Sequence, residues 1–467
     1  MLRPLTRVLA VALCLLTLSG SVRPSQLELV KMTGTLVVVT RNSPTTYYQD
    51  RDGPTGFEYE LAKAFAEYLG VNLKMVVADN TTDLLNTLET GKAAFAAAGL
   101  AHTPERERWF RFSTGYKDVK QAVIYRRGDT KPSSPLGLTQ GRLMVSASSS
   151  HAERLRQWQR GVPSLTWSES TELESSDLLQ MVNNGTLDYT LLDSNEFRIL
   201  KAYFPNLDIA FKTKTSYQMA WAFPYSRDNS LYLASKRFFA AAKNSNLLAT
   251  LSERFYGHLD TLDYVGASRF VQQTNLKLDK YKAHFVGAGS NHNFDWRLLA
   301  AMSYQESHWN PTAKSFTGVR GMMMLTLPTA RELKIANRLD AKQSIHGGAL
   351  YLSRLRERLP EVSEPDRTWL ALAAYNVGFG HLQDARKLAE KNGGNPNLWL
   401  DVKETLPRLS QKKYYKNTQY GYARGQEPVD YVQNIRRYYD VLVWNDEQPA
   451  LNSEQLAYSA AVIPPLL

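Results

Sequence analysis

Glu306-Ser307-His308-Trp309-Asn310-Pro311 places one carboxylate at the end of an apolar helix, just before a turn and a proline stop. Upstream, Asn293 is a candidate N-cap. From there Trp296, Leu299, Ala300, Met302, Ser303 and Glu306 recur at three- or four-residue spacing, so the carboxyl shares the side that faces a core. A carboxyl held against apolar groups resists ionising, and its pKa climbs toward the range where it can hand over a proton at neutral pH. Taken alone, a solvated glutamate at a capped helix end is the commoner meaning of such a stretch.

Three further segments follow in order. Gly318-Val319-Arg320-Gly321-Met322-Met323-Met324-Leu325-Thr326 is a glycine-punctuated turn running into an apolar helix start. Ala373-Ala374-Tyr375-Asn376-Val377-Gly378 is a small-residue helix ending in an amide and a glycine stop. Tyr431-Val432-Gln433-Asn434-Ile435 lies on a helix continuing toward Tyr438 and Leu442. Together the four resemble the motif set of the lytic transglycosylases, lysozyme-like enzymes that cleave peptidoglycan. Many soluble members read Gly-Leu-Met-Gln in the second motif, whereas Met324 stands at the Gln position here. A thioether cannot accept and donate as an amide does. The wording resembles instead the membrane-bound F-type branch, which carries a solute-binding-like domain ahead of its catalytic domain.

The resemblance implies roles. Glu306 is the acid/base. Tyr431 matches the tyrosine that orients it, and Asn376 the amide that contacts substrate near the scissile bond. Tyr375 lines the groove, and Ser307 matches a serine close to the glutamate that contacts substrate. Gly318 and Gly321 let the backbone turn beside the glycan, with Met324 in the same loop. For Ser307, Tyr375 and the glycines a purely structural role is at least as strong a reading. A two-carboxylate hydrolase needs a second Asp or Glu across the bond, and none of the other three motifs contains one. With one carboxylate, the resemblance implies protonation of the bond between N-acetylmuramic acid and N-acetylglucosamine. The muramyl C6 hydroxyl then closes a 1,6-anhydro ring without water.

The elements that must position these residues read as helices near 295–308, 328–333, 342–359, 368–375, 381–391 and 431–444, with a short β element interrupting them. This is a mainly α, lysozyme-like (α+β) catalytic domain. Ahead of it, Thr35 to Thr40 and Leu73 to Val77 read as strands, with helices from Gly56 to Leu69 and around 84–88. Alternating strands and helices imply a largely parallel α/β sheet. These segments resemble the periplasmic solute-binding proteins for polar amino acids, a two-lobed fold, over roughly Thr35 to His258. A second lobe is expected from near Leu143, with return to the first after Met219. In that family an Arg at the position of Arg106 clamps a ligand carboxylate and an Asp at that of Asp193 holds its ammonium. A guanidinium suits this because two parallel N–H bonds meet two oxygens. Ala101 and Ala94 depart from that family's pattern, and structural ion pairs are an equal alternative for Arg106 and Asp193. An amino acid or a murein-derived peptide would fit such a clamp, and lobe closure could reach the catalytic domain as differential affinity for two states.

At 467 residues the chain exceeds what one core supports. The expected division is a secretory signal at 1–21, a solute-binding-like domain at 22–265, a catalytic domain at 266–444 and a mobile tail at 445–467. Basic Arg3 and Arg7, apolar Val8 to Leu18 and small Ser19-Gly20-Ser21 give the signal its pattern, and eleven apolar residues are few for a bilayer span. The only cysteine, Cys14, lies inside it, so disulfides, a thiol nucleophile and a cysteine-based metal site are excluded from the mature chain. Neither cofactor nor metal is implied.

Residues 266–444 hold 26 Lys+Arg against 16 Asp+Glu, and residues 22–265 hold 28 against 26. The basic half is the one with the Glu306 motifs, which suits anionic murein strands or acidic headgroups. Nucleic acid would also be attracted, and Lys412-Lys413-Tyr414-Tyr415-Lys416 through Tyr420-Gly421-Tyr422-Ala423-Arg424 interleaves aromatics with cations. Export argues against that partner. Aromatic faces also stack on sugars, so the tract reads as a glycan-groove loop, against an even alternative that its tyrosines pack between helices. The F-type resemblance implies peripheral attachment at the periplasmic face of the outer membrane. Two rival functions stay open: an exported sensor or solute-binding protein that only holds cell wall, and a goose-type lysozyme-like hydrolase.

Overall fold

Val38 and Val39 are fully buried because their strand, β1 (Thr35–Arg41), runs inside a sheet covered by helices on its faces. The computed structural model describes residues 24–43, 45–50, 53–201, 203–258, 264–315 and 318–447. The expected signal, with Cys14, lies outside them. After β1 come α1 (Phe57–Leu69), β2 (Asn72–Ala78), α2 (Thr81–Glu89), β3 (Phe95–Ala96) and β4 (Phe110–Phe112). Then follow β5 (Gln121–Arg126), α3 (Ser150–Gln159), β6 (Tyr189–Asp193), β7 (Leu207–Lys212), β8 (Ala222–Pro224) and α4 (Leu247–Tyr256).

The first lobe's sheet has the order β2-β1-β3-β8-β4. Only β2, β1 and β3 run parallel, while β8 is antiparallel to both its neighbours. In the second lobe β5 pairs antiparallel with both β6 and β7. The expectation of a largely parallel sheet thus holds for the opening β-α-β-α-β run alone. The second lobe starts at β5, earlier than Leu143, because β5 is buried on both faces and its apolar run does not reveal which sheet receives it. The return to the first lobe falls where expected, at β8.

A helix from Tyr264 to Gln273 passes through a π-helical turn, Thr274–Leu278, into α5 (Asp279–His292). The catalytic helices follow: α6 (Trp296–Ser307), α7 (Ala341–Glu357), α8 (Asp366–Val377), α9 (Phe379–Lys391) and α10 (Gln426–Glu447). Asn293 is not the N-cap of α6. It adopts a left-handed conformation (φ 53°) and closes α5, its N–H donating to Gly289 O. Asp295 caps α6 by accepting from Arg297 N. Asn tolerates left-handed backbone well, so it serves one helix end while Asp serves the next start two residues on. The last helix starts five residues before Tyr431 and continues through Glu447, so 445–447 are helical and only 448–467 of the expected tail lie outside the described residues. Isolated bridges Lys314–Arg320 and Arg320–Leu325 supply the short β element, and Met322 to Met324 form a turn, the helix starting only at Leu327.

The two domains dock through α4 and α10. Arg436 is 2% exposed and donates to Glu253 Oε1 (3.1 Å) and to the carbonyls of Glu253 and Arg254 (2.8 and 2.7 Å). Lys403 pairs with the same Glu253, and His258 with Asp440. A cavity of about 780 Å³ lies between the domains, with Glu60, Arg254, Arg356 and Trp369 among its lining, and none of the expected catalytic residues reaches it.

Candidate active site

Glu306 sits one residue before the end of α6, which His308 closes in a left-handed conformation (φ 52°). Trp309 follows with the same handedness (φ 54°), folds back and is buried, its indole N–H donating to Ala300 O at 2.9 Å. This hook fixes the helix end beneath the glutamate. Tyr431, 4% exposed on α10, donates its hydroxyl to Glu306 Oε1 at 2.6 Å. Burial pushes the Glu306 carboxyl up to about 7, and the Tyr431 hydrogen bond opposes this only in part. Among the described residues no second carboxylate acts on it.

Tyr375 is brought to the same place, but its hydroxyl donates to Met323 O at 2.8 Å. Its phenol is pushed well above the ordinary range, first by burial and then by the Glu306 charge. The Ser307 hydroxyl is also spent on backbone, 2.9 Å from Met322 O and 3.1 Å from Ser303 O. Ser303 and Ser307 are successive turns of α6, and both hold Met322 O. Ser344 Oγ accepts from Met323 N at 3.1 Å. The methionine loop is therefore pinned from three helices, and Ser307 and Tyr375 work on the loop. Ser303 belongs to the periodic core-facing side read from the sequence, whereas its hydrogen bond to Met322 O and the role of Ser344 carry no motif signal.

Gly318 and Gly321 have φ of 84° and 85°, and Met324 also sits at positive φ (45°). At Gly321 a Cβ would lie 1.8 Å from Arg338 O, so no side chain fits there. Arg338 in turn donates to Leu325 O at 2.8 Å and Gly318 O at 3.2 Å, closing the loop. Met324 is partly exposed on it. Asn376 is exposed in the last turn of α8, which Gly378 ends at φ 89°. No group of three possible metal ligands occurs among the described residues. The arrangement supplies one proton-bearing carboxyl at neutral pH, a phenol aiming it, and a free amide on a neighbouring helix end.

In the other domain, Arg106 and Asp193 line a common cavity of about 30 Å³ at the lobe junction. Each is occupied by the protein itself. Arg106 donates to Glu153 at 3.0 Å and to Ser148 O at 2.9 Å, and Asp193 lies 3.3 Å from the His151 ring. Arg41 bridges to Glu174 and Glu196 across the lobes (3.2 and 3.4 Å). Glu153 on α3 is a partner that motif reading did not supply.

Residues 36–258 match the family described as bacterial extracellular solute-binding proteins, family 3, and residues 284–397 match the transglycosylase SLT domain. The chain is 51% identical to membrane-bound lytic murein transglycosylase F of Ectopseudomonas mendocina (strain ymp), covering 95% of this chain and 91% of that one. It is 49% identical to the protein of the same name from Saccharophagus degradans (strain 2-40 / ATCC 43961 / DSM 17024), over 94% of this chain and 88% of the relative. Among solved structures, the P235GK mutant of ArgBP from T. maritima aligns with a TM-score of 0.45 and 24% identity, over 50% of this chain and 99% of that one.

Proposed function

This chain belongs to the family of membrane-bound lytic murein transglycosylase F, and from that premise we propose how its residues divide the work. It is a peptidoglycan lytic transglycosylase of the cell envelope, with a two-lobed solute-binding-like domain ahead of its catalytic domain. The proposed division places the first domain at 22–265 and the catalytic domain at 266–444, with docking through α4 and α10.

Glu306 in its protonated form donates to the glycosidic oxygen between N-acetylmuramic acid and N-acetylglucosamine, and the muramyl C1–O bond breaks. The carboxylate left behind takes the proton of the muramyl C6 hydroxyl as O6 bonds to C1. The proton lost in the first step is thereby recovered, no water is consumed, and the product ends in a 1,6-anhydro ring. The observation that carries this reading is a carboxyl pushed up to about 7 and held by Tyr431, with no second carboxylate acting on it among the described residues. Tyr431 orients Glu306. Asn376 contacts the sugar next to the bond. Tyr375 and Ser307 fix the loop of Gly318, Gly321 and Met324 that walls the groove. Incubating the purified chain with murein sacculi should release soluble fragments, and Glu306→Gln should release none; equal release by both would remove Glu306 from the chemistry.

The solute-binding-like domain takes an amino acid or a muropeptide between Arg106 and Asp193. A cavity of about 30 Å³ holds little more than a water, so the ligand enters only after the lobes part and Arg106 leaves Glu153. Calorimetric titration of the full chain with amino acids and muropeptides tests this, with Arg106→Ala expected to abolish the heat. Among the described residues no helix is long and apolar enough to cross a membrane. Attachment is peripheral, at the periplasmic face of the outer membrane.

A further inference from the structure

From Arg408 to Arg424 the chain carries five cations, Arg408, Lys412, Lys413, Lys416 and Arg424, and no acid. Its tyrosines do not all pack between helices: Tyr420 is 53% and Tyr422 57% exposed. The segment is nevertheless held firmly. Asp384 on α9 is 2% exposed, and its two carboxylate oxygens accept from Gln419 N (3.0 Å) and Tyr420 N (2.8 Å). Ala423 N donates to Leu409 O at 3.1 Å. At Gly425 a Cβ would lie 1.6 Å from Leu406 O, so the backbone there is pressed against its neighbour. A buried carboxylate and a glycine contact thus hold the backbone of an exposed segment in place.

One end of the segment is held against the start of α9. The Tyr420 ring lies over Gly380, where a Cβ would come within 2.7 Å of it. Gly380 is four residues past Asn376, and α10, which carries Tyr431, begins two residues after Arg424. The lip therefore spans from the helix junction beside Asn376 to the helix that aims Glu306. Lys412, Lys413 and Lys416 are exposed, and none has an ion-pair partner among the described residues. Lys413 stands over the Tyr414 ring at 5.4 Å, while Arg424 is paired with Glu427.

We propose that this lip is a binding site for the peptide stem of the glycan, with Lys412, Lys413 and Lys416 taking the stem's carboxylates and Tyr420 and Tyr422 covering the adjoining sugar. It rests on the transglycosylase reading and adds a substrate preference to it. In a stem-bearing strand the muramyl lactyl carboxyl is tied up as an amide, so the carboxylates presented at intervals along the groove are those of the stems. An exposed triad without acids has nothing internal to neutralise, so its charge is available to the substrate and sensitive to salt.

The test uses the full chain and its Lys412→Gln/Lys413→Gln/Lys416→Gln variant on two substrates: intact sacculi, and glycan strands stripped of stems by an amidase whose exposed lactyl carboxylates have then been capped as neutral amides. On intact sacculi the variant's half-saturating substrate concentration should rise roughly three- to tenfold, the range for a few exposed ionic contacts, with the maximal rate unchanged. On stripped strands parent and variant should coincide, and high salt should erase the difference on sacculi. An equal loss on both substrates, or no loss on either, would overturn the assignment to the stem. A parent inactive on both would instead refute the transglycosylase reading, and the lip proposal with it.

Discussion

The Tyr431 hydroxyl meets Glu306 Oε1 at 2.6 Å although the two residues lie 125 positions apart, one on the last helix and one at the end of α6. The contact joins the group that moves the proton to the helix that carries the domain interface. Five residues after Tyr431, Arg436 is buried against Glu253 and the end of α4.

Removing the phenol should show this geometry directly. Tyr431→Phe keeps the ring and its packing, so the fold should survive, with a stability loss of about 1–3 kcal/mol for a buried hydrogen bond to a charged group. The maximal rate should fall roughly ten- to a hundredfold, part of what general acid-base catalysis contributes. Because the hydrogen bond lowers the Glu306 pKa, losing it raises that pKa, and the alkaline limb of the pH–rate profile should move upward. A rate loss with an unmoved limb would make Tyr431 a packing residue.

The parent enzyme's profile follows from the same group. Glu306 must be protonated to donate, and its carboxyl is pushed up to about 7 by burial. Turnover of sacculi should therefore hold below that pH and fall about tenfold per unit well above it. A rate flat through pH 9 would contradict an acid role for this carboxyl.

The loop is equally testable. Gly321→Ala meets Arg338 O and a positive φ at once, so it should cost roughly 2–4 kcal/mol and most of the activity. Gly318→Ala meets a positive φ but open space, and should be milder, about 1–2 kcal/mol. Urea unfolding of both variants alongside activity decides the order.

At the interface, Arg436→Met leaves Glu253 with Lys403 as its remaining cation and should destabilise the chain by roughly 3–5 kcal/mol. Adding Glu253→Leu together with Lys403→Met removes both charges left behind and should recover part of that loss. Calorimetric melting of the two variants checks the sign of the recovery.

Much of this architecture was readable because its signals are local. The periodic run ending at Glu306 showed both the helix and the carboxyl's apolar side, and the alternating strands of the first lobe announced its sheet. Asn293 misled because an amide serves a left-handed helix end and an N-cap equally well, and Asp295 two residues later took the cap. Ser307 looks like a substrate contact in one dimension, yet its hydroxyl is spent on Met322 O, a partner fixed only when the loop folds back. Arg106 presents as a ligand clamp until Glu153, 47 residues on, is seen to occupy it. For Ser307 and Arg106 the competing group comes from another element, whereas for Asn293 it stands two residues away.

The measurement that bears most directly on the central claim is the mass of the products released from murein sacculi by the purified chain. A single carboxyl at Glu306, raised to about 7 and with no second carboxylate acting on it among the described residues, predicts muropeptides ending in 1,6-anhydro-N-acetylmuramic acid, one water lighter than the hydrolysed form. Reducing-end products, one water heavier, would contradict it and place a water-activating group in the groove.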